Sequence, residues 1–291
     1  FSMLGGLHAV AEVRRSSDLP SRVADHLLWL GRYLERAEGL IRLLRSVFRR
    51  LSSEARPEDI PELGFLLNLL RAGHAIPALP EEGGCSSREL EAQLFAALYQ
   101  EDRPESVIAI LKRVQDAARN VRDRLSRDSW RVINRLEEFG DDPAADPQDQ
   151  LDNTLFTLSA FSGLAMEGMT RSLGWRFMDM GRRIERGLHQ ISLIRVGLPG
   201  VCAVSQNALE ALLEVSDSIM TYRARYRTAF QLAPVLDLLL LDESNPKSLA
   251  FQFSQLAAHV EDLPRQNERR FASAEERMSL SMLTAIRLLD L

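Results

Sequence analysis

The chain has 291 residues, 45% hydrophobic and 26% charged, a composition that excludes a disordered protein and leaves enough apolar material for a large buried core. A formal net charge of -5 excludes a nucleic-acid binder that works by bulk charge, since such domains carry a clear basic excess. Two distant cysteines, Cys85 and Cys202, fit neither a disulfide scaffold nor a zinc site and suit a reducing, cytoplasmic setting; the longest apolar runs, such as Leu238 to Leu241, fall far short of the ~20 residues of a membrane helix.

Apolar residues recur at helical spacing almost throughout, and no strand-like alternation persists. Phe1 to Leu19 fits this pattern least. It carries no secretory pattern, starts with Phe rather than Met, and is expected to be an extension ahead of a helical domain over 20–291. Pro20-Ser21 opens a long helix to about Leu51. Further helices are expected over 59–72, 87–99, 105–125, 128–139, 147–172, 174–196, 206–230, 232–241, 247–262 and 273–290. Ser86 to Glu89, Asp102 to Glu105 and Ser273 to Glu276 have the capping-box form. Breakers such as Gly83-Gly84, Gly140 and Pro199-Gly200 make the connections short. The expected fold is therefore all-α, a multi-helix up-and-down bundle with an internal pseudo-repeat.

The repeat is Gly31-Arg32-Tyr33-Leu34-Glu35-Arg36, which returns 150 positions later as Gly181-Arg182-Arg183-Ile184-Glu185-Arg186 with four of six residues identical. At about 100° per residue, Arg32 and Arg36 share a stripe with Asp25, Trp29, Leu43 and Val47. Arg182 and Arg186 share one with Asp179, His189 and Leu193. Plain apolar stripes lie beside both, including Leu30, Leu34, Ala37 and Ile41 in the first and Phe177, Met180, Ile184, Gly187 and Ile191 in the second. Glu38, Arg42, Arg45 and Arg49 read as a solvated face. Apolar residues on two sides mark a central helix, and a partly buried charge there demands a partner. Arg32–Glu35 and Arg182–Glu185 are spaced to pair within their own helices. Three arrangements satisfy these residues: a salt-bridge network that fixes two central helices, a polar cleft for a carboxylate- or phosphate-bearing ligand, or a docking surface.

Weaker constellations are Arg119, Arg122 and Arg124 with Asp116 and Asp123, expected as a solvated face; Glu167 with Arg171, an i, i+4 pair; and Tyr222, Arg225 and Tyr226, expected to pack with polar tips. Asp141, Asp142 and Asp146 resemble an acidic metal motif, but Pro143 and Pro147 put them in a loop that starts a helix. The five histidines supply no Glu-x-x-His pair of the kind a di-metal bundle needs, and no phosphate loop, dinucleotide fingerprint or nucleophile elbow is present. No metal and no cofactor are expected.

The stretch from Ser21 to Glu38, together with Asn120 to Ser126, Gly174-Trp175-Arg176-Phe177 leading to Glu185-Arg186, Tyr222 to Arg227, Leu238 to Asp242 and Pro246-Lys247-Ser248, resembles the alpha-E family of bacterial all-helical proteins. His26 stands where the family often has Asn, and Arg183 and Leu188 depart from the first copy's Tyr33 and Glu38. The resemblance implies association with a circularly permuted ATP-grasp protein, fused or neighbouring, and a transglutaminase-like protein nearby, hence peptide or amino-acid amide-bond chemistry. Phe1 to Ala11 is similar to a stretch near the end of such ATP-grasp proteins. The function so implied is an accessory or co-catalytic module of an amidoligase, using Arg32, Glu35, Arg36, Arg182, Glu185 and Arg186, joined by Arg122, Glu167, Tyr222, Arg225 and Tyr226. The alternatives are an enzyme on an amino-acid or peptide derivative with Glu35 or Glu185 as acid or base, and a structural scaffold.

Overall fold

A computed structural model describes residues 19–52, 59–78, 86–142, 144–198, 205–227, 229–264 and 272–290. Among the described residues the regular structure is helical: α1 (Ser21–Leu51), α2 (Leu63–Ala72), α3 (Ser87–Tyr99), α4 (Val107–Arg119), α5 (Arg127–Asn134), α6 (Pro147–Gly168), α7 (Leu173–Gly197), α8 (Gln206–Val215), α9 (Ile219–Tyr226), α10 (Leu232–Leu236), α11 (Leu249–Glu261) and α12 (Ala274–Arg287), with short 3-10 turns at Arg122–Arg124 and Arg135–Glu138. The all-α expectation therefore holds. No described helix is long and apolar enough to cross a membrane. The extension before Leu19 and the similarity of Phe1 to Ala11 lie outside the described residues.

Local chemistry sets the helix starts. Ser86 with Glu89 and Ser273 with Glu276 form reciprocal capping boxes, satisfying N–H groups that the first turn would leave unpaired. The box expected at Asp102 does not start a helix. Residues 101–105 turn, and Ser106 caps α4 by accepting from the Ala109 N–H. Asp146 caps α6 with Pro147 as its first residue, so the acidic loop begins a helix as expected. The helix expected over 206–230 is broken: Asp217 takes a left-handed φ of 53°, α8 ends before it and α9 starts after it. Residues 237–241 continue α10 as one π-helical stretch.

α1 is the central element, packed by α2, α4, α6, α7 and α8, while α7 is packed by α1, α2, α8 and α11. Leu27, Leu30, Leu34, Ile41, Leu44 and Val47 of α1 are almost wholly buried in the main core. α11 and α12 share a smaller cluster of Leu249, Ala250, Leu283 and Ile286. Short connections predict antiparallel neighbours along the chain, but α1 and α7 are not consecutive and run parallel. Gly31 lies against Met178 and Arg182, Glu35 bonds to Arg182 and Arg186, and Gly39 lies against His189, so residue numbers rise together.

Two glycines set how close this pair comes. A Cβ at Gly31 would collide with the carbonyl oxygen of Met178, and a Cβ at Gly181 would collide with that of Leu28. The first residue of each motif copy is thus the one that lets the other helix's backbone in. Gly187 faces Leu249 and Phe253 of α11, where a Cβ would make only ordinary van der Waals contact.

Candidate functional site

Just beyond the glycine crossing, the two motif copies exchange partners. Arg182 and Arg186 donate to Glu35 through Nε at 2.8 Å each, and Arg186 adds an Nη2 bond at 2.7 Å. Reciprocally, Arg32 and Arg36 donate through Nε to Glu185 at 2.8 and 2.7 Å. The within-helix pairs expected from i, i+3 spacing give way to this cross-helix arrangement. Parallel, in-register helices set each carboxylate between two guanidinium groups of the other helix.

The halves differ in burial. Arg182 and Arg186 are 10% and 12% exposed, Arg32 and Arg36 21% and 35%. On the Glu35 side, Arg186 uses all three guanidinium nitrogens, the third on the Pro246 carbonyl at 3.2 Å. On the Glu185 side, Arg32 lies over the Trp29 ring and Arg36 over Tyr33, and only the Nε of each is hydrogen-bonded among the described residues. Arg186 is thus fully engaged; Arg182, like Arg32 and Arg36, is bonded through Nε alone among the described residues, but Arg32 and Arg36 are the two that reach solvent with guanidinium donors to spare.

A layer of charge absent from the sequence expectation surrounds the pairs. Glu38 and Arg42 do not lie on a solvated face. Glu38 is buried and accepts from Arg42 and, at 3.1 Å, from Lys247, while Arg42 and Lys247 also meet Asp217. Arg45 pairs with Asp152, so other elements cover this face of α1 as far as Arg45, while Arg49 pairs with Glu214 but stays exposed, as expected of a solvated position. On α7, buried Asp179 accepts from Arg183 and is bonded to His259 Nε2 at 2.7 Å, tying α7 to α11. Arg183, which stands where the first copy has Tyr33, adds a second tie between the same two helices by donating to Gln252. The stripe with Asp179, Arg182, Arg186 and Leu193 faces inward, while Ile191 of the apolar stripe is exposed.

Burial alone would raise these carboxyls, but nearby cations outweigh it. Arg186 and Arg182 hold Glu35 below its ordinary value; Lys247, Arg186 and Arg42 hold Glu38 far below it; His259 and Arg183 do the same for Asp179. Burial pushes His189 the other way, toward the neutral imidazole, against the pull of Glu185, Glu35 and Glu38.

The exposed half opens into a cleft of about 350 Å³ between α1, α2, α4 and α7. Its apolar wall includes Leu40, Leu43, Leu69, Leu70, Ile110 and Leu193, and its polar rim Arg36, Glu185, Glu105, His74 and His189. A guanidinium with free donors and an acidic Glu105 therefore border one apolar hollow.

The remaining candidates lie apart from this network. Arg122 stacks on Trp130 at 4.5 Å, and Arg119 pairs with Asp116 and Glu137, a surface arrangement as expected. Glu167 is exposed and does not pair with Arg171: α6 ends at Gly168, and Arg171 bonds the Met166 carbonyl and stacks on Trp175. Tyr222 is buried, donates to the Ala229 carbonyl at 3.0 Å and packs on Tyr226 and Phe230. Tyr226 bonds Asp237 and Arg225 bonds Asp242, so this cluster ties α9 to the π-helical stretch after α10. Burial and Asp237 raise the Tyr226 phenol. Among the described residues no group of His, Cys, Asp and Glu is placed to hold a metal ion.

Residues 19–291 match the Alpha-E family, described as "a predicted alpha-helical domain with a conserved ER motif". The chain is 33% identical over 286 residues to an uncharacterized protein of Mycobacterium bovis and to two uncharacterized proteins of Mycobacterium tuberculosis, in each case covering 91% of this chain and 32% of the relative. It thus spans about a third of the length of the curated relatives it matches. No solved structure matches the chain. With the match running over nearly its whole length, and with its Glu-Arg pairs at 35–36 and 185–186 locked together at the centre of the fold, the chain belongs to the Alpha-E family.

Proposed function

We propose that this chain is a helical module that presents an amino acid or short peptide to an ATP-grasp ligase for amide-bond formation. The observation that carries this reading is the asymmetry of the network: in the buried half Arg186 spends all three guanidinium nitrogens, whereas in the exposed half Arg36 borders the cleft with donors to spare. A guanidinium with free terminal nitrogens is suited to a carboxylate. Glu105, on the rim of the same cleft, is suited to an ammonium, and the leucine wall to a side chain. Those three features together complement an amino acid or a peptide end.

The ligase is expected to be a separate polypeptide or domain, since the sequence holds no ATP-binding motif of its own. Relatives about three times as long leave room for such a domain, and the family resemblance favours an ATP-grasp protein, with a transglutaminase-like protein as a second candidate partner. The test measures amino-acid-dependent ADP release by the associated ATP-grasp protein, with and without this chain, across an amino-acid panel. Release that needs the chain for a subset of acceptors supports the proposal; release indifferent to the chain for every acceptor contradicts it.

A further inference from the structure

Behind the network lies a second, much smaller cavity of about 30 Å³, large enough for molecules the size of water. Three buried polar atoms without a protein hydrogen-bond partner belong to residues that line it: His189 Nε2, Gln190 Nε2 and Ser216 Oγ. Gln190 and Ser216 are 3% and 6% exposed. Natural interiors leave few such atoms, and three on one small cavity mark it as a place for hydrogen-bonding guests. Its charged walls balance: Glu35, Glu38 and Asp217 against Arg42, Arg186 and Lys247. Guests there are therefore neutral, and half-exposed Asp217 stands at the way out.

His189 lines both this cavity and the amino-acid cleft, so its imidazole is the partition between them. Gly39 makes room for the ring: a Cβ there would lie 3.0 to 3.2 Å from Cε1, Nε2 and Nδ1. Around the ring stand Glu35, Arg36, Glu38 and Arg42 of α1, Glu185 and Arg186 of α7, Asp217 after α8 and Lys247 before α11. Glu105 and His74 face it across the cleft. The carboxylates around it have cationic partners in Arg32, Arg36, Arg182, Arg186, Arg42 and Lys247, which leaves the ring as the group on this partition with an unpartnered nitrogen.

We propose that His189 is the proton acceptor of the site, taking a proton from an amine bound in the cleft and passing it into the polar cavity. This rests on the amino-acid reading above, because an amine attacks an acyl group only after losing its proton. In the step, a bound R–NH3+ gives one proton to a neutral imidazole nitrogen, leaving R–NH2 with its lone pair and an imidazolium. The other ring nitrogen then releases its proton to water held by Gln190 and Ser216, and it leaves past Asp217 to solvent. The ring returns to neutral and nothing is oxidised or reduced.

The test uses the full chain with its ATP-grasp partner and compares wild type, His189→Gln and His189→Gly. A proton acceptor predicts that H189Q, folded and with KM for the amino acid unchanged, loses about 100-fold in chain-dependent kcat. It also predicts that added imidazole restores H189G. If wild type stimulates the ligase and H189Q keeps kcat within a few-fold, the inference is overturned and the joint-ligase reading stands. If wild type itself gives no stimulation, that reading falls, and ring NMR of the isolated chain at pH 7 decides the inference with glycinamide as amine probe. His189 resonances that shift on adding glycinamide uphold it; resonances indifferent to glycinamide overturn it.

Discussion

Gly31 and Gly181 put the backbones of α1 and α7 in direct contact, each at the position where a methyl group would strike a carbonyl oxygen of the other helix. Because the obstacle is backbone, no side-chain rotation relieves it. Gly31→Ala and Gly181→Ala are each expected to destabilise the fold by at least about 3 kcal/mol, the upper range for overpacking. Gly163→Ala on the open face of α6 meets nothing within 4 Å and is expected to stabilise by about 0.5–1 kcal/mol. Urea unfolding of the three variants checks this, and equal effects at all three sites would refute the crossing.

The two carboxylates of the network are predicted to respond unequally. Glu35→Gln strips two well-buried arginines of their counter-charge and is expected to cost about 3–5 kcal/mol, as for other broken buried pairs. Glu185→Gln leaves Arg32 and Arg36, which reach solvent and stack on Trp29 and Tyr33, so its loss is expected to be clearly smaller. Thermal unfolding of the pair decides, and a larger loss for Glu185→Gln would contradict the assigned burial.

Stability should fall with acid in two phases. His189 is held more neutral in the fold than its unfolded value of about 6.5, so the unfolded chain gains a proton first and stability erodes as pH drops below that value. Glu35, Glu38 and Asp179 are depressed in the fold, so their contribution is complete above the unfolded carboxylate range near ~4 and is lost as pH falls through and below it. Denaturant midpoints across pH 3 to 8 test this, with His189→Gln expected to remove the upper phase alone.

Much of the architecture was legible from local rules. The extent of α1 from Ser21 to Leu51, the capping serines at 86 and 273 and the helix start at Pro147 follow from residues within a turn of one another. The two motif copies stood out by repetition, and their apolar surroundings marked α1 as central. Their partners did not follow, because Arg32 and Glu35 sit at a spacing that offers a neighbour within the helix, and only parallel packing shows that the neighbour across is taken instead. Glu38 and Arg42 looked solvated for the same reason: an i, i+4 ion pair is the usual dress of an exposed face. What buries them is the Asp217 turn and Lys247, each more than 170 positions away in sequence. The left-handed Asp217 that divides 206–230 has only the short polar run Ser216-Asp217-Ser218 as a signal.

The Glu38–Lys247 bond ties the segment before α11 to α1. Lys247→Met is expected to leave Arg42 as the hydrogen-bonded partner of Glu38, with Arg186 nearby, to raise that carboxyl toward its ordinary range and to loosen the segment around Pro246. Amide hydrogen exchange over 242–250 should accelerate in the variant, and unchanged protection would show that Asn245 and Ser248, through their bonds to Leu238 and Asp242, hold the segment unaided.

Arg36, held by Glu185 at the cleft, is proposed to receive the carboxylate of an amino-acid or peptide acceptor. The most direct measurement is the KM for an acceptor amino acid, and for its carboxamide, in chain-dependent ADP release by wild type and Arg36→Gln. Arg36→Gln is expected to raise KM for the carboxylate form by at least about tenfold, in line with loss of a charge-assisted hydrogen bond, and to leave the carboxamide unaffected. Equal KM values for the carboxylate form in wild type and variant would contradict it.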